Sequence, residues 1–105
     1  MINSVTLQRL RVLEQLYERG YQDEVVDLTV GKLVDRQIQK DESQLASLAA
    51  DLQTFERQHG MASADFAARY GAGKAGDSAD AFEWHALYKM YVRLTEHLGL
   101  LKTQG

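Results

Sequence analysis

The chain has 105 residues, of which 45% are hydrophobic and 26% charged; it is long enough for one core and too apolar to be disordered. Its net charge of −3 gives no general attraction for nucleic acid and mildly favours a basic partner. The absence of cysteine excludes disulfide staples, thiolate zinc sites and cysteine nucleophiles and points to a reducing, cytoplasmic compartment, and no apolar run approaches the roughly 20 residues needed to span a bilayer.

The amino-terminal stretch carries Arg9 and Arg11 and no small-residue cleavage signature, so it does not read as a signal peptide. With no proline in the chain, helix ends fall to glycines, caps and pattern. No linker is visible, so residues 1–105 are expected to form a single all-α domain, a helical hairpin or small bundle.

A first helix is expected from Ser4 to Arg19, capped by Asn3 or Ser4, with Leu7, Leu10, Leu13, Leu16 and Tyr17 along one side. Gly20 ends it. Arg9, Arg11 and Arg19 before a short turn suggest a DNA-binding helix-turn-helix. The second helix opens with Asp23, Glu24 and Asp27, however, where acids would repel phosphates.

The second helix is the long central one, about 23–59, with Val26, Val30, Leu33 and Val34 leading into Ile38, Leu45, Leu48, Leu52 and Phe55. From Ile38 those spacings make a heptad seam, which is expected to pair with a second copy of the chain. Unbroken, such a helix is roughly 54 Å long at about 1.5 Å per residue. A compact domain of this size has a radius of gyration near about 13 Å. Either the helix breaks at Asp41, with Gln44 completing a cap-like motif, or it projects and self-associates.

A short third helix is expected from Ser63, as N-cap, to Tyr70, closed by Gly71, with Phe66 and Tyr70 paired four residues apart. Residues 71–76, GAGKAG, are a flexible connector; Lys74 is followed by Ala75 and so fails the phosphate-loop pattern. The C-terminal helix, about 78–98, takes Asp77 or Ser78 as cap and Gly99 as stop, with Trp84, Tyr88 and Tyr91 inward.

His59, His85 and His97 have no ligand spacing, even with Asp80 and Glu83 nearby, so neither a metal, a cofactor nor a catalytic site is expected. Asp77, Asp80 and Glu83 recur every three residues as an acidic ridge. They offset the helix dipole, or they receive a basic partner with Phe82 supplying apolar contact.

Residues 59–94, HGMASADFAARYGAGKAGDSADAFEWHALYKMYVRL, carry Gly60-Met61 after a long polar helix, Phe66 and Tyr70, Gly76-Asp77, and Phe82-Glu83-Trp84 leading into Leu87-Tyr88. In this layout the chain resembles small helical antitoxin-type proteins of bacterial and archaeal toxin–antitoxin modules. The resemblance implies a noncatalytic protein that binds and restrains a cognate toxin, in many modules an RNA-cleaving one. The chain departs from many antitoxins in lacking a basic N-terminal DNA-binding module and a long disordered tail. The alternative is a structural or assembly protein acting as a homodimer without a toxin, and an enzyme is a distant third.

Overall fold

The computed structural model describes residues 4–103, all of whose regular structure is helical. In chain order the helices are α1 (Ser4–Glu18), α2 (Glu24–His59), α3 (Ser63–Gly71) and α4 (Ala79–Thr103). The chain divides into two compact units, Met1–Leu33 and Val34–Gly105.

In the first unit, α1 ends in a glycine cap: Gly20 takes φ 94°, and the Tyr21 N–H reaches back to the Leu16 carbonyl at 3.1 Å. This bond pattern needs a left-handed residue, which glycine supplies at least cost. Asp23 then caps α2, its Oδ1 accepting the Val26 N–H at 3.1 Å. The Tyr17 hydroxyl locks the turn, donating to Asp27 Oδ1 at 2.6 Å and accepting the Asp23 N–H at 3.3 Å. No residue of α1 is buried. Of the expected stripe, Leu13 and Tyr17 are half-buried and Leu7, Leu10 and Leu16 are exposed. The alternative cap Asn3 lies outside the described residues.

The second unit begins with the seam of α2. Val34, Ile38, Asp41, Leu45, Leu48, Leu52 and Phe55 follow alternating steps of four and three, the spacing that keeps one face turned to a neighbour. Asp41 fills the position skipped between Ile38 and Leu45, and it is buried. The cap-like motif does not break the helix. Asp41 accepts a hydrogen bond from the Gln37 side chain one turn earlier, at 2.9 Å, and α2 runs on to His59.

Much of the seam is covered within the chain itself. Leu48 and Leu52 are buried, Phe55 packs on the core of Leu52, Phe66, Ala81 and Trp84, and Ile38 and Leu45 are half-buried. α4 runs antiparallel to this part of α2. Trp84 stacks with Phe55 at a centroid distance of 5.7 Å, and at the far end Lys102 Nζ meets Glu42 Oε2 at 3.3 Å. Gly99 does not stop α4, because its backbone stays out of the positive-φ region and the helix continues to Thr103. Leu98 is buried and Leu101 half-buried on either side of it. Each leucine buried in this unit contributes about 1.5–3 kcal/mol relative to exposure.

Candidate functional site

The start of α4 is held by its single tryptophan. Trp84 is 2% exposed, and its indole lies parallel to Phe66 at 3.9 Å, with His59 stacked at 5.2 Å. A buried indole N–H needs an acceptor. Ser63 provides it: Trp84 Nε1 donates to Ser63 Oγ at 2.9 Å, and that hydroxyl donates onward to Glu56 Oε2 at 2.7 Å.

The same carboxylate oxygen accepts the Ser63 backbone N–H at 2.9 Å. Ser63 is therefore not the N-cap of α3. That position is Ala62, which has no side-chain cap bond, and Glu56 of α2 satisfies a free N–H at the helix start from outside the helix. α2 reaches this geometry through Gly60, whose φ of 61° lets the Met61 N–H bond the Glu56 carbonyl at 3.3 Å.

On α4 itself Ser78 is the cap, its Oγ accepting the Ala81 N–H at 3.1 Å. Asp77, Asp80 and Glu83 are exposed, and none of them enters the one salt bridge found among the described residues, Lys102–Glu42. Phe82 is 67% exposed, a large aromatic open to solvent two residues from the most buried side chain of the core. The ridge and Phe82 do not share a face. At about 100° per residue Phe82 stands about 100° from Glu83 and about 160° from Asp80, so a partner engaging all of them must wrap the helix end. Tyr88 and Tyr91 turn inward with Trp84 and pack against the core.

The histidines go separate ways. His59 stacks on Trp84, His85 stacks on Tyr70 at 4.2 Å, and His97 is exposed. Among the described residues no group of three or more acidic or histidine side chains is placed to hold a metal.

A cleft of about 280 Å³ opens beside Trp84 and Phe66, bordered by His59, Arg69, Lys74 and Ser78. Lys74 belongs to the glycine-rich connector, whose Gly73 (φ 75°) caps α3 through a Lys74 N–H bond to the Arg69 carbonyl at 2.8 Å. Glu56 and Ser63, the two residues that fix Trp84, are absent from any local motif. Seven residues and a helix end separate them, so only the tertiary fold pairs them.

The fold and this site define an all-α protein with a braced aromatic corner. Compared with known proteins, the chain matches no family model, no curated protein and no solved structure. Among the described residues, no helix is long and apolar enough to cross a membrane.

Proposed function

We propose that this chain is a noncatalytic helical protein-interaction module, antitoxin-like, that binds and restrains a basic toxin protein through the start of α4. The observation that carries the reading is Phe82, 67% exposed on a helix whose neighbouring Trp84 is immobilised by stacking and by the Ser63–Glu56 bonds. A rigid support under an open aromatic ring suits an anchor residue, since little conformational entropy remains to be lost on binding. Asp77, Asp80 and Glu83 add a negative field that draws a basic partner from a distance, and such steering does not require them to share Phe82's face.

The test is co-expression with the protein encoded beside this gene, followed by binding kinetics. Rescue of growth and a purified complex are expected. Asp80→Lys with Glu83→Lys slows association and flattens its salt dependence, while Phe82→Ala speeds dissociation. Absence of a complex, or kinetics unchanged in both variants, overturns the assignment to this surface. A structural protein that self-associates without a toxin is the second reading, favoured by the exposed apolar side chains of the first unit.

A further inference from the structure

The cleft beside Trp84 has a polar border of one kind. Its volume is about 280 Å³, and the polar side chains around it are His59, Arg69, Lys74 and Ser78. The chain carries 15 acidic residues against 12 lysines and arginines, yet no carboxylate borders this cleft, Asp77 and Asp80 included. Two other clefts of the same unit each hold a carboxylate, Glu56 in one and Glu96 in the other. Arginine and lysine can only donate hydrogen bonds. Ser78 Oγ already accepts the Ala81 N–H at 3.1 Å, which leaves its own proton to give.

Local backbone geometry brings these groups together. The connector turns through Gly73, and the Lys74 N–H bonds the Arg69 carbonyl at 2.8 Å, so the lysine folds back over the end of the helix that carries the arginine. Gly76, at φ 79°, then turns the chain towards Ser78. His59 is held from α2 by stacking on Trp84. Neither Arg69 nor Lys74 enters an ion pair among the described residues, where the one salt bridge is Lys102–Glu42. A cation at the end of α3 suits the helix dipole. The dipole does not account for a second cation, a hydroxyl and an apolar floor around one opening.

We infer that this cleft binds a small organic phosphate, a phosphate monoester carrying one compact apolar group. The Arg69 guanidinium offers a fork that matches two phosphate oxygens, Lys74 adds a point charge, and Ser78 donates a further hydrogen bond. The apolar group rests on Met61, Ala75 and Ala81, which line the floor. The volume lies just under the roughly 300–1,000 Å³ of sites for drug-sized ligands, so a single ring and its phosphate fill it. The site is independent of any toxin partner, because Phe82 stands about 100° around the helix from Ala81.

The test is calorimetric titration of the full chain with phenyl phosphate at fixed ionic strength, with amide shifts followed by NMR. One-to-one binding is expected with a Kd on the order of 1 mM or tighter, and the shift changes centre on residues 69–78. Benzoate, the same ring with a single negative charge, binds roughly tenfold more weakly or worse, and inorganic phosphate is weaker too. Arg69→Gln with Lys74→Gln weakens phenyl phosphate by about tenfold or more and keeps the helical spectrum, since both side chains are exposed. Lys89→Gln with Arg93→Gln removes the same charge from elsewhere on the unit and leaves the affinity within about twofold. Several results overturn the proposal: no saturable binding up to about 10 mM, benzoate or inorganic phosphate binding as well as phenyl phosphate, or shift changes centred elsewhere. Equal losses in the two double variants overturn it as well, because they would assign the binding to diffuse charge.

Discussion

Glu56 on α2 grips Ser63 twice, one carboxylate oxygen accepting both its backbone N–H at 2.9 Å and its hydroxyl at 2.7 Å. Ser63 in turn accepts Trp84 Nε1 at 2.9 Å. Three helices therefore meet in a chain of three hydrogen bonds, in which Ser63 is the shared link. Removing that link strands the buried indole N–H as well as deleting its own contacts. Ser63→Ala is expected to cost about 2 kcal/mol. Glu56→Gln keeps an acceptor oxygen at the same place and costs about 1 kcal/mol or less. Urea denaturation monitored by tryptophan emission ranks the two; equal losses would mean that the hydroxyl contributes nothing beyond its bond to Glu56.

Asp41 gives the opposite expectation. It is 3% exposed, Gln37 satisfies one oxygen, and Oδ2 has no hydrogen-bond partner among the described residues. Asp41→Leu completes the apolar seam and is expected to raise stability by about 1–3 kcal/mol, because a poorly paired buried carboxylate is replaced by packed hydrocarbon. The denaturation midpoint measures it. A lower midpoint would show that the leucine side chain does not fit the space the carboxylate occupies.

Two glycines should respond with opposite signs to alanine. Gly60 holds φ 61°, and an added Cβ there meets nothing within 4 Å, so Gly60→Ala carries only the backbone penalty, about 1–2 kcal/mol. Gly99 lies inside α4 with equally open surroundings. Gly99→Ala is expected to stabilise by about 0.5–1 kcal/mol through helix propensity. Thermal unfolding of both variants checks the pair, and a loss at Gly99 would argue that the helix bends or ends there.

The turn between α1 and α2 carries an alkaline dependence. The hydrogen bond to the Asp27 carboxylate raises the Tyr17 hydroxyl above its ordinary 10.0. The charge of Asp23, with its hydrogen bond, raises that of Tyr21. For an acid whose pKa is raised by folding, the stabilisation is fully present below the unfolded value and is lost as pH rises through the folded one. The turn is therefore expected to hold up to about pH 10 and to loosen above it, as tyrosinate forms. Tyr17→Phe removes its share of that dependence. Absorbance titration of tyrosinate in the two proteins tests it, and superimposable curves would place Tyr17 outside the hydrogen bond.

The helices were legible in the sequence because each carries its own punctuation. Asp23 and Ser78 cap as their positions imply, and Gly20 and Gly60 take the left-handed conformation that ends a helix. Gly99 misled because glycine permits a stop without enforcing one, and the leucines around it continue the buried face. Asp41 misled for a related reason: an aspartate followed three residues later by glutamine is a cap only where the chain is free to turn. Here apolar positions on both sides of it keep the helix going.

What covers the seam was not legible, since a heptad pattern states that a face is buried without stating whose side chains bury it. At the candidate site the exposure of Phe82 and the inward turn of Trp84 follow from helical spacing. The Glu56–Ser63 brace does not, because it joins a helix end to the next helix across a turn whose direction depends on Gly60.

The protein has one tryptophan, and its ring is enclosed by Phe66, Phe55 and His59. Its emission is thus a built-in optical probe of Val34–Gly105 that needs no attached label. The tyrosines do not separate the halves in the same way, because Tyr17 and Tyr21 lie in the turn, in edge contact at 5.9 Å, while Tyr70, Tyr88 and Tyr91 pack on the aromatic corner. The far-ultraviolet helical signal, by contrast, draws on both units. If emission and helical signal vanish at the same denaturant concentration, the two units unfold together. If part of the helical signal fades first, the hairpin melts on its own while the aromatic corner still stands.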